Sequence, residues 1–251
     1  MTRWKAALAG LSKAGLGLVF PEVCQLCRDE PAQPEDGFVG DGCRAKLKPI
    51  EPPFCKRCGQ SFAGEFSGEF ECTNCVEMGL KFEFACAAMQ ANVEMLDAIH
   101  RFKYQQALWL EPLFDRLLRD RAVGEIRAWR GDCLVPVPLH PVRFRERGFN
   151  QAEQLCRNLA RATGLEIETR AVKRTRVTQT QIRLTRTERL ANMRDAFKLN
   201  TRSLNGRRVV LVDDVLTTGA TTSDCARACK KAGAAEVGVW TLARGLGSPS
   251  R

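Results

Sequence analysis

The side chains in this chain best suited to chemistry fall in two places. The first is a set of paired cysteines: Cys55-Lys-Arg-Cys58 and Cys72-Thr-Asn-Cys75 are two C-x-x-C knuckles separated by a glycine-containing loop. Thiolates at this spacing turn toward one another, so four of them can converge tetrahedrally on one Zn²⁺. Redox C-x-x-C pairs come singly at a helix start, so two pairs in a Gly- and Pro-rich stretch favour metal. Cys24-Gln-Leu-Cys27 with Cys43 repeats the pattern using three sulfurs, and Gly40 stands where a fourth Cys would be expected, three residues before Cys43. Asp41 or Asp36 could complete that site with oxygen, because Zn²⁺ accepts carboxylate; the alternatives are a three-ligand site and a decayed one. With no His or water-activating Glu expected beside these cysteines, zinc here should be structural or serve partner docking.

The second place is Val209-Val-Leu-Val-Asp-Asp-Val-Leu-Thr-Thr-Gly-Ala-Thr221, an apolar run followed by two adjacent carboxylates and a Thr/Gly turn that opens a helix. A loop at a helix N-terminus offers free backbone N–H groups and the positive end of the dipole to a phosphate. The hydroxyls of Thr217, Thr218 and Thr221 add donors, while Gly219 lets the backbone approach closely. Asp213 and Asp214, at the carboxyl end of a parallel strand, lie where open α/β sheets bind ligands and can accept hydrogen bonds from a ribose diol.

These groups need elements to hold them. The chain has 251 residues, 44% of them hydrophobic, with 39 Lys/Arg, 29 Asp/Glu and 12 Cys, which excludes a disordered chain or a disulfide miniprotein. Seven cysteines lie between 24 and 75, clustered as metal ligands are, and no run of eighteen apolar residues exists, so a soluble cytoplasmic protein is expected. Residues 1–20 suit an amphipathic helix through Trp4, Ala7, Leu8 and Leu11. Residues 21–80 have too little apolar periodicity to fold on burial alone and need zinc as a staple. From 81 to 251 apolar runs alternate with amphipathic stretches, the pattern of an α/β domain with a mostly parallel sheet flanked by helices. Strands are expected at 84–91, 133–137, 208–212 and 237–242, and helices at 94–102, 108–121, 150–162 and 220–232. The basic charge belongs to this part: residues 143–208 hold 17 bases and 6 acids, a field for pyrophosphate, a nucleotide or single-stranded nucleic acid.

The 209–221 stretch resembles the 5-phosphoribosyl-1-pyrophosphate (PRPP) motif of type I phosphoribosyltransferases. With Val135-Pro-Val-Pro-Leu-His-Pro, Arg147-Gly-Phe-Asn-Gln151, Thr178, Gln181, Leu184 and the 189–197 run, the chain resembles the ComF (GntX-like) family from 24 to 244. That family joins a double zinc ribbon to a phosphoribosyltransferase domain, and several members are linked to natural competence. The resemblance implies that Asp213 and Asp214 hold the ribose hydroxyls, that Thr217, Thr218, Gly219, Ala220 and Thr221 hold the 5-phosphate, and that Mg²⁺ accompanies PRPP. Departing pyrophosphate gathers negative charge and needs guanidinium groups, for which Arg143 and Arg147, expected in a loop after a strand, are the candidates. Arg147 then joins the two aspartates as the catalytic set.

The polar segment from Arg174 suits a hood over substrate, with Gln181, Arg189, Asn192 and Arg194 as its candidate contacts. His140 and His100 read as structural, and Cys86, Cys133, Cys156, Cys225 and Cys229 as packed thiols. Two functions follow: transfer of phosphoribosyl to an acceptor, or a PRPP- or nucleotide-regulated module that binds single-stranded DNA. In the second, the zinc ribbons would dock a competence helicase or another protein. Sparse aromatics argue against a base-stacking platform, and Phe102, Tyr104 and Trp109 around Lys103 read as helix packing.

Overall fold

The computed structural model of the protein describes residues 22–62, 64, 68, 70–176 and 195–245. The 1–20 helix and the hood residues Gln181, Arg189, Asn192 and Arg194 lie outside them. Two short helices, α1 (Asp41–Ala45) and α2 (Thr73–Met78), belong to the cysteine-rich part. Then come β1 (Phe84–Gln90), α3 (Val93–Tyr104), α4 (Glu111–Trp129), β2 (Cys133–Pro136), α5 (Pro141–Arg147) and α6 (Gln151–Thr163). The chain continues through β3 (Glu166–Ile167), β4 (Val172–Arg174), β5 (Phe197–Leu199), β6 (Arg208–Leu216), α7 (Ala220–Lys231) and β7 (Glu236–Arg244).

Five strands make one parallel sheet in the order β1-β7-β6-β2-β3, and β4 and β5 form a separate antiparallel pair. β6 is central because it is apolar on both faces: Val209, Val210, Leu211 and Val212 are all fully buried. Burying each such side chain stabilises by about 1.5–3 kcal/mol, which only a strand covered on both sides collects. Val209 and Leu211 pack into a core with α7, while Val210 and Val212 pack into one with α3, α4 and α6. Phe84, Trp129 and Trp240 lock β1, α4 and β7 together with ring centroids 5.0–5.7 Å apart.

The expected elements appear with three differences. The 108–121 helix begins at Glu111 after a 3-10 turn at Leu108–Leu110, where Pro112 suits a first turn, and continues to Trp129 because Leu118, Ala122 and Ile126 keep its buried stripe going. The 143–147 stretch, expected as a loop, is the helix α5: Pro141 sits in its first turn, and His140 caps it by accepting the Val142 N–H through Nδ1 at 3.2 Å. β6 runs on past Val212 to Leu216, so the two aspartates lie inside the strand rather than beyond it. Asn150 caps α6 and Gly164 ends it, as its sequence suggests.

Candidate functional site

Asp213 and Asp214 sit near the carboxyl end of β6, both buried, and the strand passes directly into the turn at 217–219 that opens α7. Gly219 caps α7 in the left-handed region (φ 85°), and a Cβ there would meet Leu80 Cδ2 at 3.3 Å. Glycine thus supplies both the conformation and the space that the turn needs. Thr218 Oγ1 accepts the Ala220 N–H at 3.4 Å and Thr222 Oγ1 donates to the Gly219 carbonyl at 3.1 Å, so the turn is held by its own hydroxyls. Thr217 is exposed, Thr218 and Thr221 half-buried and Ala220 buried. The proposed phosphate residues therefore form one continuous turn beside the acid pair.

Cations face the acids. Lys103, from the last turn of α3, places Nζ 2.5 Å from Asp214 Oδ2. Burial pushes the Asp213 carboxyl up to about 7, helped by the charge of Asp214 and opposed by Lys103. Burial holds Arg174, at the end of β4, below its ordinary value, against the charge of Asp213. Arg147 also stacks over Tyr104 at 4.7 Å and donates to its hydroxyl at 3.0 Å, which ties α5 to the end of α3. Arg143 Nη1 donates to Glu146 at 2.8 Å.

The cysteines gather in two clusters. In the second, the sulfurs of Cys55 and Cys75 are 3.7 Å apart, those of Cys58 and Cys72 3.7 Å, and those of Cys72 and Cys75 3.5 Å. Four sulfurs each ~2.3 Å from a central Zn²⁺ would be about 3.8 Å apart, so this set fits the metal. Crowding makes the thiols unequal: hydrogen bonding to Cys58 and Cys75 drives Cys55 far down, and contacts with Cys55 and Cys58 drive Cys75 far up. In the first cluster, ligand atoms of Cys24, Cys27, Glu30 and Cys43 lie within 4.8 Å of one another. Glu30, not Asp36 or Asp41, is the carboxylate at this cluster. Asp36 is paired with Arg44 and with Arg116 at 2.7 Å, and Asp41 with Arg44.

The second cluster is wired to the 217–219 turn. The buried guanidinium of Arg244, at the end of β7, donates to the Cys58 carbonyl at 2.8 Å and to Cys58 Sγ at 3.3 Å. It also donates to the carbonyls of Leu216 at 3.1 Å and Thr217 at 2.6 Å. Asn74 Nδ2 donates to the Thr218 carbonyl at 3.5 Å.

Sequence reasoning missed Lys103, Arg174, Arg244 and Glu30. Nothing marks Lys103 except its place among helix-packing aromatics, and Arg174 is only the start of a polar run. Arg244 carries a usable signal, since a charge closing an otherwise apolar strand has to find partners. His100 stacks on Tyr104 at 4.8 Å and His140 is a cap, both structural uses. Phe149 packs on Phe102 at 5.3 Å.

A double zinc ribbon domain family matches residues 15–88, and a phosphoribosyl transferase domain family matches residues 145–250. Competence protein F of Haemophilus influenzae is 31% identical over 88% of this chain and 96% of its own length. DNA utilization protein YhgH of Escherichia coli K12 is 32% identical over 91% of this chain and all of its own. Among solved structures, purine phosphoribosyltransferase from Pyrococcus horikoshii Ot3 overlaps 52% of this chain and 80% of its own at 15% identity and a TM-score of 0.33, from which nothing about activity follows. Among the described residues no helix is long and apolar enough to cross a membrane. With both domain families present in order and relatives matched along nearly their full length, this chain belongs to the ComF family of double-zinc-ribbon, phosphoribosyltransferase-domain proteins.

Proposed function

We propose that this protein binds PRPP and transfers its phosphoribosyl group to an acceptor with release of pyrophosphate. The carrying observation is the continuous run from the buried Asp213–Asp214 pair into the 217–221 turn, with Lys103 paired to Asp214. The 5-phosphate would take the N–H groups and hydroxyls of residues 217–221, and the ribose diol would donate to the aspartates. The diphosphate would lie against Arg143 and Arg147, with Arg174 beside them. As the C1–O bond breaks, its electron pair leaves on pyrophosphate, where fixed guanidinium groups stabilise the growing charge. The acceptor attacks C1 from the opposite face, inverting it, and gives up its proton to solvent. Mg²⁺ would travel with the diphosphate and neutralise part of its charge, held through ligand oxygens. Thiols kept free for zinc suit a cytoplasmic setting, and all twelve cysteines are unpaired.

The test is calorimetry with Mg²⁺ and PRPP, followed by pyrophosphate release across a panel of nucleobases, nucleotides and single-stranded DNA. Asp214→Ala and Thr221→Ala should each weaken PRPP binding at least about tenfold, the loss of roughly one or two good hydrogen bonds to a charged ligand. Wild-type affinity in both variants would refute the site.

A second reading rests on a different observation: Phe144 is exposed among Arg143, Arg145 and Arg147 on α5, and the relatives' names speak of competence and DNA utilization. Here PRPP or a nucleotide regulates a module that binds single-stranded DNA and a partner motor. PRPP binding without turnover, together with DNA affinity that falls linearly on a log–log plot against salt, would favour it.

A further inference from the structure

The two ribbons repeat one backbone plan, with one residue more in the knuckle of the first. In the second, the Cys55 N–H donates to the Gln60 carbonyl at 2.8 Å, and the Gly59 N–H to the Cys55 carbonyl at 2.8 Å. In the first, the Cys24 N–H donates to the Glu30 carbonyl at 2.7 Å, and the Arg28 N–H to the Cys24 carbonyl at 2.8 Å. Gly59 and Arg28 share a φ of 65°. Each ribbon then supplies its other half from the start of a short helix. Cys72 caps α2 with φ −71° and ψ 154°, and Gly40 caps α1 with φ −70° and ψ 166°. Gly40 therefore stands in the place of Cys72, and the first ribbon lacks a sulfur at that corner.

The corner is filled from across the loop. A Cβ on Gly40 would collide with Glu30 Cδ and Cγ and fall 2.7 Å from its Oε2, so the Glu30 side chain occupies the space that a cysteine at 40 would take. Its carboxylate lies 3.5 Å from Cys27 Sγ and accepts the Gly42 N–H at 2.7 Å and the Cys43 N–H at 2.9 Å. Those two bonds hold it in place and use only part of its capacity, since a carboxylate has about four lone-pair positions.

We propose that the first ribbon is a mixed Cys₃Glu zinc centre in which Glu30 is the fourth ligand, replacing the sulfur absent at Gly40. Zn²⁺ accepts carboxylate at close to the distance of imidazole, so the tetrahedron closes with an oxygen corner. With one hard ligand among three soft ones, this centre holds zinc less tightly than the all-sulfur second cluster and gives it up first to a chelator.

The test uses the full-length protein and counts zinc per chain by mass spectrometry after dialysis against a moderate chelator. Wild type should keep two. Glu30→Gln keeps the side chain's length and one of its two backbone bonds, because its single amide oxygen can take the place of Oε1 or Oε2 but coordinates zinc poorly; it should keep one. Glu30→Ala with Gly40→Cys should return to two and, after Co²⁺ substitution, show stronger sulfur-to-metal charge-transfer absorption than wild type, from eight thiolates instead of seven. Cooperative thermal melting of each variant, with the second cluster still loaded, controls for misfolding. Two zinc ions retained by Glu30→Gln as firmly as by wild type would overturn the proposal. So would failure of the double substitution to restore the second ion in a folded protein.

Discussion

The two cysteine clusters have nearly the same backbone but are built into the molecule differently. The second packs with Leu80, Phe82 and the α7 face of the sheet, and Arg244 and Asn74 connect it to the 217–219 turn. The first packs with the α3–α4 face, to which Arg101 of α3 ties it through the Gln25 carbonyl and Arg116 of α4 through Asp36. Repeating a motif does not repeat its role, since one ribbon shares hydrogen bonds with the candidate active site and the other braces the opposite side of the sheet.

The largest effect should separate the ribbons directly. Cys75→Ser should lower the melting temperature by more than about 10 °C and abolish PRPP binding, since structural zinc contributes on the order of 10 kcal/mol to the fold it closes. Cys27→Ser should also lower the melting temperature yet leave PRPP affinity within about threefold of wild type at a temperature where both are folded. Equal loss of binding in the two variants would erase the distinction.

Arg244→Met comes next. It removes the donor shared by the carbonyls of Cys58, Leu216 and Thr217. The Leu216 carbonyl keeps the Gly245 N–H, but the Cys58 and Thr217 carbonyls lose this donor; leaving a buried acceptor unpaired costs roughly 1–3 kcal/mol, so we expect about 3 kcal/mol of lost stability in urea melts. PRPP affinity should fall at least about tenfold while both zinc ions stay bound, which calorimetry and metal analysis would check together.

Asp213 makes the candidate site sensitive to pH. Its carboxyl, raised from 3.8 to about 7, faces Asp214 on β6 and Lys103 on α3, with Arg174 on β4 and the thiols of Cys156 and Cys225 nearby. Across that window the native protein keeps a proton that the unfolded chain has released, so this residue's contribution to stability falls as pH rises toward 7. Asp213→Asn should flatten the dependence of melting temperature on pH between 4 and 7 and gain most above it. An unchanged slope would move the titration elsewhere.

The smallest effect is local. Gly219→Ala puts a side chain at φ 85° and against Leu80, and should cost about 1 kcal/mol, read as a modest melting shift with weaker phosphate binding. His140→Ala removes only the cap of α5 and should cost no more than about that, with PRPP affinity nearly unchanged.

What can be read without coordinates is whatever is written in contiguous residues. The knuckle spacings, the apolar run of β6 with its two aspartates, the Thr/Gly turn and the Asn150 and Gly164 caps each depend on backbone geometry over a few positions, and each appears where the sequence puts it. The α5 helix reads as a loop because it follows directly on a strand end, whereas Pro141 opens a helical turn there. Groups that meet through long separations leave no local trace. Lys103 reaches Asp214 because α3 packs beside the strand end, and Arg244 reaches Cys58 across 186 positions because β7 ends under the ribbon. Glu30 looks like one acid among several until the fold sets it against Gly40. Local residue types determined which chemistry was present. Packing, by burying some charges and forcing each to find a partner, decided which of them work together.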